Sequence, residues 1–353
     1  MSSIIQYTQG AIGFSGRPRI APKVFIFTMF KKEATNWLSD ESSLEMGNKI
    51  TLPGLYRGYE QIHCTADNSV CLVVVGTALI NAALSVSAII SSTIFDLSKT
   101  YFLLSGIAGV NPKQATIGAV AFAKFAVQVD LQMEYDAREI PSTWESGYVP
   151  MDAEDLHGSE VYELNDNLRQ MAISFARTAV LEDSAAAAEN RALYDIPGGR
   201  YHAATLKPNI VEGDVASSNV FWHGNLLSEA MARTFKVYTS GKAEYVMAAQ
   251  EDTAILAALW RAALQKQVDF SRIILMRAGS NFDRSYSESE VPSIPFILDH
   301  GGMGPAIRNL YLSGMKVVQG IVDGWSIFEK GIEAENHVGD IFGSLGGVPD
   351  FDR

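Results

Sequence analysis

The sequence predicts an α/β fold built on a mainly parallel or mixed sheet. Two observations carry this. Short, wholly apolar runs alternate with longer segments of helical pattern, and three of the runs end in loops of Gly, Ser, Thr or Asn: VVVGTAL, FLLSGIAG and ILMRAGSN. Strands alternating with helices build sheets with helices packed on their faces. Ligands in such sheets bind beyond the carboxyl ends of the strands, where the chain enters the next helix.

In chain order, KVFIFTMF (23–30) is strand-like, with β-branched and aromatic residues, and EATNWL turns helical. VCLVVVG (70–76) is a second buried strand, followed by a helix rich in small residues, INAALSVSAIISSTIF (80–95). TYFLLSGIAGV (100–110) repeats the arrangement as an apolar run and a glycine-bearing loop. ATIGAVAFAKFAVQVDLQMEYD (115–136) alternates in places and predicts one or two longer strands. SEVYELNDNLRQMAISFARTAVL (159–181) and EDTAILAALWRAALQKQ (251–267) predict amphipathic helices, the second leading into the strand IILMR. The alanine run at 185–188 predicts a surface helix. The glycine-rich end, NHVGDIFGSLGGVPDFDR, predicts a loosely held tail. The expected organisation is an N-terminal extension (1–20), a single domain (21–340) and a flexible tail (341–353).

The chain has 353 residues and is 47% hydrophobic, enough for one large domain or two ordinary ones. A net charge of −12 argues against a nucleic-acid backbone as partner. Six His and two Cys leave little material for a metal centre, and none is expected. Cys64 and Cys71, in HCTADNSVC, fit neither a zinc pattern nor a redox CxxC; they close a small loop or stand as reduced thiols. CLVVVGTALINAALSVSAII is interrupted by Gly76, Thr77, Asn81 and two serines, so it reads as a strand and a helix rather than a membrane span. The start, MSSIIQYTQGAIGFSGRPRIAPK, lacks the basic opening and continuous apolar core of a signal peptide, and leaves cytoplasmic and secreted locations both open.

Several segments, in one order, carry a resemblance: VGTALINAALS, the run from FDLSKTYFLLSGIAGVNPK to YDAREIP, NVFWHG, YTSGKAEYVMAAQEDTAILAAL and LMRAGSNFD. Together they resemble the fungal and bacterial purine nucleoside permease (NUP) family, from Ala21 to about Asp340. That family in turn resembles the nucleoside phosphorylase superfamily. The resemblance implies a central mixed sheet, partly barrel-like and flanked by helices. It also implies chemistry at the bond between a base and C1′ of ribose, with phosphate or water as the acceptor.

Candidate site residues follow from the matching motifs. Glu251, in AAQEDTAILAAL, matches the Glu that accepts hydrogen bonds from ribose hydroxyls, a task suited to a carboxylate's several lone pairs. The alternative is that Glu251 or Asp252 serves the helix N-terminus. Gln250 beside it and Thr77 after the VVVG strand are expected at the ligand. Ser280, Asn281 and Asp283 form the tip of IILMRAGSNFDR. Asn281 stands where many superfamily members carry an Asp that protonates N7 of the purine, and where phosphorylases preferring 6-oxopurines carry Asn. An amide donates to N7 without full proton transfer. Asp283 supplies a proton if burial raises its pKa, or else caps the turn or pairs with Arg284.

Ser105, Gly106, Ile107 and Gly109 lie in the loop that the superfamily uses beside phosphate and ribose. Small residues let a backbone approach a ligand, although tight packing also explains the glycines. Phe221, Trp222 and His223, in FWHG, offer faces to stack on a purine and a nitrogen for its edge. Met29, Phe30 and Glu33 follow the first strand, where hydrolytic members place a Glu that activates water; an exposed helix residue is the alternative for Glu33. Arg57 and His63 are the candidate cations for an anionic co-substrate.

Departures from the family pattern are equally specific. The usual GEGE before INAA is here Gly76-Thr77-Ala78-Leu79, which removes two carboxylates and turns a glycine into alanine. Ile107 replaces a small or hydroxyl residue, no Arg precedes its loop, and Ala216-Ser217-Ser218-Asn219 lacks an expected Asp. The pocket is therefore expected to be more apolar than a nucleoside pocket.

The leading expectation is an enzyme, of pentosyl-transferase or N-glycosidase type, that cleaves purine nucleosides by phosphorolysis or hydrolysis. It needs no cofactor, with phosphate as an optional co-substrate, and it works as a homo-oligomer. The alternatives are a diverged enzyme for an apolar secondary metabolite, a non-catalytic nucleoside-binding or uptake protein, and a silent storage-type relative.

Overall fold

The computed structural model describes residues 4–5, 18–287 and 301–349. Most strands of the described residues join one mixed sheet. Its centre is three parallel strands: β1 (Val24–Thr28), β2 (Val70–Val74) and β3 (Tyr101–Val110), with β1 between the other two. The ten-residue strand β7 (Ile273–Phe282) lies parallel to β3 along its whole length. The far end of β3 pairs antiparallel with β6 (Tyr245–Ala249), which runs parallel to β5 (Asp214–Ser217). Strand β4 (Val120–Ala123) pairs antiparallel with β7, so the sheet branches there.

The central strands are buried on both faces, which explains their unbroken apolar runs. Phe25 and Phe27 of β1, and Phe102 and Leu104 of β3, enter one core with helices α1 (Leu79–Ile90) and α4 (Asp252–Leu264). Val24, Ile26, Tyr101 and Leu103 enter the opposite core, under α2 (Asp166–Ala176) and α5 (Met303–Asp323). A further helix, α3 (Asn225–Tyr238), packs with β5 and β6 in a third cluster.

Four expectations need correction. SGIAGV and AGSN are not loops: they continue β3 and β7, because the two strands pair with each other to Val110 and Phe282, and β6 pairs with the end of β3. Residues 115–136 form three short strands, Val120–Ala123, Phe125–Gln128 and Gln132–Glu134, rather than one or two long ones. The segment 159–181 opens with a strand, Val161–Glu163, before its helix; Asn165 caps that helix by accepting from the Leu168 N–H at 3.1 Å. The tail is not loose throughout. Gly339–Asp340 pairs with Tyr162–Glu163, and Asn336 Nδ2 donates to Glu163 Oε1 at 2.8 Å. Residues 350–353 lie outside the described residues, as does most of the 1–20 extension; Ile4–Ile5 pairs with Lys49–Ile50 at the sheet edge.

The alanine run does form a helix, Ala185–Ala192. Cys64 and Cys71 are joined in a disulfide between directly opposite residues of an antiparallel pair. Among the described residues no helix is long and apolar enough to cross a membrane, and no cluster of His, Cys, Asp and Glu could hold a metal ion.

Candidate functional site

The carboxyl ends of β1, β2, β6 and β7 and the second half of β3 meet around one cavity of about 300 Å³. Its walls are largely apolar. Met29, Phe30 and Ile107 line one side, Ala248 and Ala249 another, and Val220, Phe221 and Trp222 stand by the exposed mouth. The polar groups are few: Thr77, Ser218, Gln250, Ser280 and Asn281, three carboxylates and one guanidinium.

That guanidinium, Arg277, is buried and organises the floor. Its Nε donates to both oxygens of Asp252 at 3.1 Å, and Nη2 donates to Asp252 Oδ1 at 2.6 Å and Glu251 Oε2 at 3.1 Å. Nη1 donates to the Ile107 carbonyl at 3.0 Å. Burial opposes the charge of Arg277, but Asp252 and Glu251 outweigh it and raise its pKa. Gly106 makes room for this group: a Cβ there would lie 2.2 Å from Arg277 Nη1.

Glu251 stands at the N-terminus of α4, yet its side chain does not cap that helix. Its Oε1 accepts the Ala78 N–H at 3.1 Å. Burial raises its pKa, Arg277 opposes, and the neighbouring Asp252 adds to the rise. Ala78 presents that N–H from φ 70°, ψ 160°, a backbone region that favours glycine.

Glu33 is buried, not an exposed helix residue. Its Oε2 accepts the Met29 N–H at 2.6 Å and the Phe30 N–H at 3.2 Å, and Oε1 accepts the Ile107 N–H at 2.7 Å. Three N–H donors favour the carboxylate. Desolvation works against them, helped by Glu251 and opposed by Arg277, and pushes Glu33 up to about 7.

At the opposite end, the register of β7 against β3 shifts between Gly279 and Asn281. Such a bulge re-aims the side chains around it. The Ser280 hydroxyl lies 2.9 Å from Asn281 Oδ1, and Asn281 Nδ2 donates to the Phe282 carbonyl at 3.3 Å. Holding the amide oxygen leaves the second N–H of Asn281 as a donor for a ligand. Asp283 accepts from Arg284 Nε at 2.7 Å, Arg284 Nη2 at 3.0 Å and the Tyr245 hydroxyl at 2.8 Å. Both of its oxygens are thus engaged by Arg284 and Tyr245.

The cavity thus gathers Asn281, Asp283, Glu251, Glu33, Ile107, Gly109, Phe221, Trp222, Gln250, Ser280, Met29, Phe30 and Thr77. Ser105, Gly106 and His223 do not line it; Ser105 is buried within β3, and Gly106 lies behind the lining residues Arg277 and Met29. The anion-binding pair is corrected. Arg57 is on an exposed turn, and His63 lies on the strand Gln61–Cys64, bordering a separate groove with Lys31 and Glu60. Burial and Lys49 lower the pKa of His63.

Sequence reasoning missed Arg277 and Asp252. A lone Arg inside an otherwise apolar strand pattern was the available signal, since a buried guanidinium demands partners.

A family model for purine nucleoside permeases matches residues 21–333. A purine nucleoside permease of Candida albicans (strain SC5314) is 37% identical over 346 residues, covering 94% of this chain and 83% of the relative. A Schizosaccharomyces pombe protein described as a "probable purine nucleoside permease" is 35% identical over 343 residues, covering 92% and 96%. Among solved structures, the 5′-methylthioadenosine/S-adenosylhomocysteine nucleosidase of Neisseria meningitidis superimposes with a TM-score of 0.50 at 16% identity, covering 85% of this chain and 99% of that one. That likeness shows the nucleosidase-type α/β fold. With its strand ends gathered on one cavity and a match that spans nearly the whole domain, the chain belongs to the purine nucleoside permease (NUP) family.

Proposed function

We propose that the cavity binds a purine nucleoside and hydrolyses its N-glycosidic bond. The observation that carries this is the charge balance of the floor. Among the described residues that line the cavity, Arg277 is the one cation, and Glu251 and Asp252 already engage it. Glu33 adds a further carboxylate. An anionic phosphate would meet excess negative charge here, whereas neutral water would not.

In this reading Glu251 accepts from the ribose hydroxyls, and the aromatic mouth residues Phe221 and Trp222 stack on the base. The C1′–N9 bond breaks with its electron pair staying on the purine. Asn281 Nδ2–H donates to N7 and stabilises the departing anion. Water adds to C1′ and gives its proton to Glu33, whose pKa of about 7 suits a group that must take and return a proton. Glu33 then gives that proton up, through solvent, to the departing purine anion, and the products are free base and ribose. The relatives' name, which speaks of purine nucleosides, supports the substrate class.

The same name supports a second reading, a nucleoside-binding protein without turnover. One experiment separates them: inosine, guanosine and adenosine are incubated with the pure protein, with and without phosphate, and analysed by chromatography and equilibrium binding. Base release without phosphate supports hydrolysis. Release that requires phosphate overturns it in favour of phosphorolysis. Binding without release supports the second reading, and neither binding nor release points to an apolar ligand matched to the Met29, Ile107 and Ala248 walls.

A further inference from the structure

The hydrolytic reading leaves one neighbouring buried carboxylate without a task. Asp252 is the first residue of α4, fully buried, and outside the cavity lining. It holds one whole edge of Arg277, taking Nε on both oxygens and Nη2 at 2.6 Å. A guanidinium is planar, with its donors in a fixed fork, so a partner that grips the Nε–Nη2 edge also decides where Nη1 points. Here Nη1 points to the Ile107 carbonyl. Glu33 grips the N–H of that same residue. Among the described residues, no hydrogen bond or ion pair joins Glu33 to Arg277 directly.

We infer that Asp252 is a positioning residue: by holding the Nε–Nη2 edge of Arg277, it keeps the guanidinium from pairing with Glu33 and leaves Glu33 free to exchange a proton with water. The inference rests on the hydrolytic reading above. The groups facing Glu33 are Arg277 from β7, Glu251 from the start of α4, and the backbone N–H groups of Met29, Phe30 and Ile107. Asp252 stands behind Arg277. Losing its charge acts in one direction. Arg277 becomes less neutralised and free to turn, and both changes favour an ionised Glu33. A residue that merely tied α4 to β7 would leave the titration of Glu33 where it is.

The test follows the Glu33 carboxyl by infrared spectroscopy across pH, its band assigned by its loss in Glu33→Gln. Asp252→Asn is expected to lower the Glu33 midpoint by at least about one pH unit. It should also slow inosine hydrolysis about tenfold, because a weaker base is left in place. Asp252→Glu, which keeps the charge, should restore the midpoint. A folded Asp252→Asn protein whose Glu33 midpoint is unchanged overturns the inference. Should that variant not fold, Asp252→Ala is read in the same way. The wild type offers a further check: the Arg277 Nε–H resonance should stay fixed while Glu33 titrates, and a shift that tracks Glu33 also overturns the inference. If the wild type releases no base but the Asp252→Asn midpoint still moves, the hydrolytic reading fails and the positioning role stands.

Discussion

Glu33 and Arg277 grip the same residue from its two polar ends. Glu33 Oε1 accepts the Ile107 N–H at 2.7 Å, while Arg277 Nη1 donates to the Ile107 carbonyl at 3.0 Å. The middle of β3 is thereby clamped between a carboxylate from the short helix Lys31–Ala34, which follows β1, and a guanidinium from β7. Opposite charges are drawn to the two peptide groups that flank one residue, with no hydrogen bond between them.

Glu33→Gln tests the proton-transfer role. The variant keeps the shape of the side chain but cannot take a proton from water. Base release should fall by about 10²- to 10⁴-fold, the range for loss of a general base, while nucleoside binding persists. Full activity would remove Glu33 from the mechanism. In the wild type the rate should rise with pH through about 7 and then level off.

The same group predicts how stability depends on pH. Burial raises Glu33 from 4.5 to about 7, so between those values the folded state binds more protons than the unfolded one. Stability from this group is fully present below the unfolded pKa and is lost as pH rises through about 7. The shift corresponds to about 3 kcal/mol. Thermal unfolding measured between about pH 4 and pH 8 should show this decline in the wild type and a flatter profile in Glu33→Gln.

Glu251→Gln and Asn281→Ala should separate sugar from base. Glu251→Gln loses a charged acceptor for ribose, so kcat/KM should fall by about 10²-fold, with much of the loss in KM. Asn281→Ala loses the donor to the leaving base, so kcat should fall by about 10²- to 10³-fold with KM little changed. Steady-state kinetics on inosine decides both, and an unaltered kcat in Asn281→Ala would reduce the tip of β7 to a turn.

Ala78→Gly should stabilise the protein. Ala78 sits at φ 70°, ψ 160°, a conformation costing a non-glycine residue about 1–3 kcal/mol. The added freedom of glycine in the unfolded chain returns about 0.5–1 kcal/mol of that. A net gain of about 1 kcal/mol should appear as a higher denaturation midpoint, with Glu251 still holding the residue 78 N–H.

Gly106→Ala should do the reverse. Its new Cβ would lie 2.2 Å from Arg277 Nη1 and 2.8 Å from Met29 Sδ. Overpacking of this kind costs about 1–3 kcal/mol, and here it also displaces the guanidinium that holds Glu251. Denaturation and base release should both suffer, whereas Gly58→Ala, with nothing within 4 Å and a positive φ, should change stability without changing the chemistry.

Much of the site was legible as residue types near strand ends. Glu251, Asn281, Ile107 and Trp222 all follow or end apolar runs, and a two-sided sheet brings such ends together. The glycines of SGIAGV misled because glycine ordinarily signals a turn, whereas Gly106 is required by a side chain arriving from another strand. Helices α3 and α5 were not predicted from the sequence; in the second, Pro305, Gly314 and Gly320 are residues that ordinarily break a helix, and Gly314 and Gly320 lie where Trp37 and Phe175 pack closely against it. Arg57 and His63 were candidates on proximity in sequence, but neither lines the cavity: Arg57 is on an exposed turn and His63 borders a separate groove.

By itself the sequence determined the alternation of strands and helices, the burial of the central strands and the family, because apolar periodicity and motif order are local properties of the chain. Only the tertiary structure decided the chemistry of the floor. Arg277 meets Asp252 and Glu251 across 25 and 26 residues, and Glu33 meets Ile107 across 74. Which carboxylate is neutralised and which is left near neutral pH depends on desolvation and on the direction of a guanidinium fork. Both are set by the packing of segments that are distant in sequence.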